Sequence, residues 1–220
     1  MTNDDAFGLD AAYALETPDD NRKLYAGWAR TYESGFMADH SYVYHHHVAE
    51  IFDRHGGASG AETSVLDVGC GTGAVGTELA FLGHQPIDGI DISPEMLEVA
   101  ATKVLPDDSP AYRQLVEADL TATIDLPDRS YGGIVSAGTF TFGHLGPESL
   151  TELLRVGATG CRYAVGVNAI HYREQAFDEW LENACADGAI TKPVLVDVAV
   201  YEGDHEHAQD RALVVVFERI

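Results

Sequence analysis

The sequence predicts an α/β fold, a doubly wound and mostly parallel seven-stranded sheet with helices on both faces. Three observations carry this expectation. From residue 64 onward, short β-branched runs alternate with helical patterns, as in sheets built from βαβ units. The stretch Val65-Leu-Asp-Val-Gly69-Cys-Gly71-Thr-Gly73 reads as a strand that turns on glycines into a helix. Two strand-like runs, 194–201 and 211–218, flank the polar segment Asp204-His-Glu-His-Ala-Gln-Asp210 and so read as a closing hairpin.

Each element has its own signal. Residues 1–20 are polar, end in Pro18-Asp-Asp20, and are expected to form a flexible arm. From Arg22, Leu24, Tyr25, Trp28, Tyr32 and Phe36 recur at helical spacing, and a second amphipathic helix over 41–54 runs to the Gly56-Gly57 breaker. Strand 64–68, helix 73–83, strand 86–91 and helix 94–103 follow. Ser93 and Pro94 open the last of these as N-cap and first helical residue. Strands 111–117 and 131–136, helix 147–157, strand 162–168 and helix 173–186 lead to the hairpin. The 220 residues are read as one domain, with an α/β core over 62–220. Sheets of this kind bind ligands beyond the carboxyl ends of their strands.

Composition narrows the partners. The formal net charge is −23, and the lysines are Lys23, Lys103 and Lys192. Such a surface repels phosphate backbones and anionic lipid, so neither a nucleic acid nor a membrane is expected as partner. No apolar run reaches the roughly 18 residues of a membrane-spanning helix, and the acidic N-terminus lacks a signal peptide's apolar region. Cys70, Cys161 and Cys185 are odd in number and lack metal-ligand spacing. They are read as free thiols in a reducing cytoplasm. In Tyr42-Val-Tyr-His-His-His-Val48, three consecutive histidines cannot share one helix face, so core or surface histidines are expected and no metal.

The glycine stretch admits two readings. Gly71-Thr-Gly73-Ala-Val-Gly76 satisfies the dinucleotide pattern G-x-G-x-x-G, with Asp91 downstream at the distance of a ribose-binding acid. Asp67 and Gly69 extend it to Asp-x-Gly-x-Gly-x-Gly. A carboxylate at the strand's end would repel a pyrophosphate and attract an ammonium or sulfonium ion. This favours S-adenosylmethionine (SAM) over NAD.

Leu66-Asp-Val-Gly-Cys-Gly-Thr-Gly73 followed by Gly89-Ile-Asp-Ile-Ser-Pro-Glu-Met-Leu97 resembles the class I SAM-dependent methyltransferases. The run Val135-Ser-Ala-Gly-Thr-Phe-Thr-Phe-Gly-His-Leu-Gly-Pro-Glu148 is similar to one branch. That branch is the methyltransferase-like family of the Williams–Beuren syndrome chromosomal region methyltransferase-like protein. The resemblance implies a Rossmann-like sheet with an antiparallel last strand and an N-terminal helical lid over 21–57. It also implies a site. Tyr25, Trp28 and Tyr32 would close over SAM, the Tyr32 hydroxyl reaching its methionine carboxylate. Asp67, Gly69, Cys70, Gly71 and Gly73 would form the loop beneath it. Asp91 would take both ribose hydroxyls, Ile92 and Met96 would flank the adenine, and Asp119 and Leu120 would bond it. Ser136, Ala137 and Gly138 would approach the sulfonium.

Methyl transfer to a neutral acceptor requires management of one proton. His144, past the fourth strand, is the first candidate, followed by His171 and Tyr172 past the fifth. Phe140, Phe142, His171, Tyr172 and Trp180 imply a small aromatic or apolar acceptor. The oligomeric state, monomer or homodimer, stays open. Two alternatives stand beside catalysis: a SAM-binding sensor or partner subunit without chemistry, and an NAD(P)-binding oxidoreductase. The latter lacks a Tyr-x-x-x-Lys pair and is opposed by Asp67.

The acid-rich, lysine-poor surface also resembles proteins adapted to salt, which screens self-repulsion. Thermal melts in molar KCl and in dilute buffer should therefore give the higher melting temperature in KCl; equal values would reject salt adaptation.

Overall fold

The computed structural model describes residues 18–38, 40–58, 63–141, 145–203, 207 and 209–220. The helices are α1 (Pro18–Trp28), α2 (Tyr44–Arg54), α3 (Ala74–Phe81), α4 (Pro94–Ala100), α5 (Ser149–Val156), α6 (Ala169–Glu174) and α7 (Phe177–Ala186). The strands are β1 (Val65–Val68), β2 (Ile87–Asp91), β3 (Gln114–Glu117), β4 (Tyr131–Phe140), β5 (Gly157–Asn168), β6 (Val194–Ala199) and β7 (Arg211–Glu218). They form one seven-stranded sheet in the order β3-β2-β1-β4-β5-β7-β6. β7 runs antiparallel to both β5 and β6, and the other neighbours pair in parallel. The expected architecture, with its antiparallel last strand, is the observed one.

Strand alternation assigns each face of the sheet its own core. Val65 faces a layer with Val48, Phe52, Leu79 and Val135. Leu66 and Val68 face the opposite layer with Leu153, Tyr163, Phe177 and Phe217. Asp67, between them, is therefore directed under the α3–α4 side rather than out from the strand's end. There its Oδ2 accepts from the Tyr112 hydroxyl (2.7 Å) and from the Gly76 N–H (3.0 Å).

Several boundaries differ from the sequence expectation. Residues 18–20 belong to α1 rather than to an arm, and residues 1–17 lie outside the described residues. The aromatic stripe is not one helix: α1 ends at Trp28 and a π-helical turn follows over Glu33–Met37. That widened turn lets Tyr32 and Phe36 stack at 5.1 Å with 13° between their planes. β3 starts at Gln114 rather than 111, because Tyr112 leaves the strand direction to reach Asp67. The helix expected at 173–186 is two. Asn168 caps α6 by accepting from the Ile170 and His171 N–H groups, and Ala176, in a left-handed conformation, breaks it from α7. β4 extends to Phe140 through an irregularity at 136–140, where Gly138 has positive φ.

The N-terminal segment, read from the sequence as a lid, is fastened by the chain's scarce cations. Lys103, just past α4, meets both carboxylate oxygens of Glu33 at 2.6 Å. Arg22 of α1 donates to the Ile92 carbonyl (3.1 Å) and lies 3.5 Å from Glu117. Trp28 is buried against Met96 of α4. On its other side the lid joins the sheet's far edge: Val43 N–H donates to Val200 O (3.1 Å), and Tyr42 bridges to Tyr201.

A Cβ at Gly76 would meet the Tyr112 hydroxyl oxygen at 2.2 Å. Gly76→Ala should therefore destabilise the fold by about 1–3 kcal/mol, read as a lower urea midpoint at unchanged m-value. An unaltered midpoint would mean that Tyr112 can withdraw at no cost.

Candidate functional site

A cleft opens at the carboxyl ends of β1, β2 and β4, beside the point where strand order reverses, as expected for a doubly wound sheet. It holds about 1080 Å³ of empty space, part of it open to solvent. The glycine loop, Gly69 to Thr72, forms its floor; Asp91, Ile92 and Met96 form one wall and Ala118 to Thr121 a second. Ala137, Gly138 and Thr139 from the end of β4 lie opposite, and Tyr25, Tyr32, Met37, Tyr42 and His45 from the N-terminal segment cover it.

Asp91 is placed by two backbone donors. Its Oδ2 accepts from Gly71 N–H (2.8 Å) and its Oδ1 from Ser93 N–H (2.9 Å). Burial pushes its carboxyl up, opposed by these bonds. Each oxygen keeps a further lone pair, so the group can still accept from two vicinal hydroxyls. At Gly71 (φ +53°) an added Cβ would meet nothing within 4 Å; the residue marks backbone open to a ligand. The Thr72 hydroxyl is buried in the cleft wall without a hydrogen-bond partner among the described residues. Asp119 uses its Oδ1 to accept from the Thr121 N–H (2.8 Å) and hydroxyl (2.7 Å), which shapes the loop that carries Leu120.

Of the residues expected at the cofactor, Tyr25, Tyr32, Gly69, Cys70, Gly71, Asp91, Ile92, Met96, Asp119, Leu120, Ala137 and Gly138 line the cleft. Four do not. Asp67 is fully buried beneath the loop and faces Tyr112 and Gly76 because of strand alternation. Gly73 is drawn under it, its N–H donating to Cys70 O (2.8 Å). Ser136 donates from its hydroxyl to Val68 O (2.8 Å) behind the wall. Trp28 packs on Met96.

The proton-handling candidates fare differently. His144 and Phe142 lie outside the described residues. His171 is buried, with its Nε2 2.9 Å from Leu145 O. Tyr172 stacks on Phe177 in the core at 5.7 Å. Neither lines the cleft, since the break at Ala176 and the Asn168 cap turn this segment back onto β5. The imidazole that does line it is His45 of α2, which periodicity alone could not single out from His46 and His47. It is 8% exposed, and its Nδ1 has no partner. Burial first, then His46 and His47, lower its pKa to about 4, with Glu33 opposing. The histidine run was read without a metal; among the described residues, His45, His46 and Glu78 of α3 can each present a ligand atom within 4.8 Å of the others. His46 Nδ1 lies 3.1 Å from Glu78 Oε1.

Burial raises the Asp67 carboxyl to about 7, against the bonds from Tyr112 and Gly76. Its Oδ1 has no partner. In the unfolded chain it ionises near 3.8, so between these values the folded state holds the extra proton. Stability from this group is full below about 4 and falls as pH rises towards about 7. Asp67→Asn, which cannot ionise, should remove that decline. Urea midpoints at pH 5 and pH 8 should diverge in favour of the variant at the higher pH, and parallel shifts would show that Asp67 does not titrate in this window.

Residues 65–160 match a family model described as methyltransferase domain. No curated protein matches the chain by sequence. Solved structures of similar fold include a Methanococcus maripaludis protein assigned as a SAM-dependent methyltransferase. It is 19% identical with a TM-score of 0.58, the match covering 90% of this chain and 93% of that one. A TehB-like SAM-dependent methyltransferase from Corynebacterium glutamicum is 22% identical (TM-score 0.53; 93% and 100% covered). A chain from the complex of the Haloferax volcanii Trm112 methyltransferase activator with a protein assigned as a methyltransferase is 17% identical (TM-score 0.59; 89% and 98% covered). Among the described residues no helix is long and apolar enough to cross a membrane. The matched segment thus resembles a methyltransferase domain, and the seven-stranded sheet that carries it has the Rossmann-like fold of these solved structures.

Proposed function

We propose that this chain transfers a methyl group from SAM to a small-molecule acceptor, within the methyltransferase-like branch that the Val135–Glu148 run resembles. The observation that carries the reading is the pairing of a half-buried Asp91 carboxylate with the open Gly71 backbone at the cleft floor. The residues present fit the cofactor: an acid for vicinal hydroxyls, the apolar Ile92, Met96 and Leu120 for a purine, and the unpartnered Thr72 hydroxyl for a further polar group.

SAM supplies an activated methyl group bound to a sulfonium. The chain's own work is to bind, orient and exclude water. Asp91 fixes the ribose end, with its position set by Gly71 and Ser93. Tyr25 and Tyr32 cover the cleft, and the Lys103–Glu33 pair holds them down. Asp67 supports the loop from beneath. The acidic surface argues against nucleic-acid and membrane partners, and the unpaired cysteines suit a reducing cytoplasm.

Calorimetric titration with SAM, S-adenosylhomocysteine and NAD tests the reading. Micromolar binding of the adenosyl ligands and none of NAD is expected. Gly71→Ala, which fills the cradle, should weaken SAM binding by at least tenfold, while backbone strain costs about 1–2 kcal/mol of stability. NAD binding by the parent protein would instead favour the oxidoreductase.

A further inference from the structure

Beside the cofactor cleft lies a second recess of about 560 Å³, bounded by Tyr32, Phe36, Tyr42, Tyr44, Phe140 and Tyr201. Tyr25, Tyr32, Tyr42 and Gly138 line both compartments, so the two are contiguous. The recess walls are flat rings. Tyr32 stacks on Phe36 (5.1 Å, 13°), and Tyr42 meets Tyr201 edge-on at 5.7 Å. Such walls receive a planar apolar body and give little hold to a polyanion.

Two polar groups at this junction lack partners. The Tyr44 hydroxyl, in the recess wall, is buried and has no partner among the described residues. His45 lines the cofactor cleft and stacks face to face on Tyr42 (5.6 Å, 4°), a ring that borders both compartments. Its Nδ1 is sealed and unpartnered among the described residues, so its Nε2 is the nitrogen left to engage a ligand. Buried polar groups are rarely left unsatisfied unless something else binds there.

Resting on the methyl-transfer reading, the geometry points to a flat, aromatic acceptor bearing one hydroxyl, its rings in this recess and its hydroxyl reaching past Tyr42 into the cleft, with His45 as the group that takes its proton. In the step, the acceptor oxygen bonds to the methyl carbon and the carbon–sulfur bond breaks, its electron pair staying on sulfur as a neutral thioether. The hydroxyl proton passes to the His45 imidazole and from there to solvent. The groups facing His45 are Tyr42, His46, His47, Glu33 and Glu78. Burial first, with His46 and His47 adding to it against Glu33, lowers the ring's pKa to about 4 and leaves it neutral at pH 7, with a lone pair available. A weak base suffices, because an oxygen that has gained a methyl group while keeping its hydrogen is a far stronger acid than imidazolium.

The test uses the full chain saturated with S-adenosylhomocysteine and two probes, 2-naphthol and naphthalene, which differ by the hydroxyl. Calorimetry should show 2-naphthol binding about tenfold more tightly, the effect of one hydrogen bond in a buried site. His45→Phe should abolish that preference, His45→Gln should retain part of it, and Tyr201→Ala should weaken both probes alike. In the unmodified protein, 2-naphthol should move one histidine Cε1 resonance and naphthalene should not, a readout that survives if a variant fails to fold. Equal binding of the probes, binding of neither, or a preference that persists in folded His45→Phe would overturn the assignment. So would binding that appears only with added Zn²⁺, which would make His45 a metal ligand with His46 and Glu78. Failure of S-adenosylhomocysteine itself to bind would instead reject the methyl-transfer reading beneath it.

Discussion

The glycine loop rests on one buried contact: the Asp67 carboxylate held between the Tyr112 hydroxyl and the Gly76 N–H. A loop with open backbone on its ligand side needs support from the other side. Here that support is a carboxylate, which accepts from two donors on different elements and so fixes the spacing of β1, α3 and the segment before β3 at once. The arrangement explains why Gly76 has no side chain, why Tyr112 departs from the strand, and why the acid of the motif is fully buried. It carries a cost, because Asp67 Oδ1 has no partner, and a lone buried oxygen is expensive when ionised.

That contact also marks where sequence reasoning reached its limit. The sheet was legible because βαβ alternation and the closing hairpin leave few topologies. Asp91, Gly71, Ile92, Met96 and Leu120 were legible because they sit at strand ends or in the loop, where sequence position fixes spatial position. Asp67 was recognised as important but placed on the wrong side: a short strand's alternation, and not its proximity to the glycines, decides which way the carboxylate faces. His171 and Tyr172 looked available because they follow a strand, but the Asn168 cap and the left-handed Ala176 fold them into the core. The aromatic rings beside the cleft are largely other residues than those the sequence singled out. Phe140 is there, but Tyr42, Tyr44 and Tyr201 come from the lid and the far sheet edge, joined by a long-range bridge that no local pattern announces.

Charge is used economically. With 13 lysines and arginines against 36 acids, cations appear at joints: Arg22 and Lys103 where the lid meets α4 and β3, and Arg113 at 2.8 Å from the buried Asp88. Pairs that stay open to solvent are worth roughly 0.2–1 kcal/mol each, so the electrostatic fastening of the N-terminal segment is modest beside the burial of Trp28.

The tyrosines that stand between the two compartments have a thermodynamic consequence. Tyr25, Tyr32 and Tyr42 present one face of the wall to each cavity, so neither cavity has a shape independent of the other's occupant. Linkage then demands reciprocity: whatever free energy one guest gains by fixing those rings, the second guest gains equally when the first is already in place. Cooperation between the two ligands is thus written into a shared partition and requires no change in the sheet that carries it.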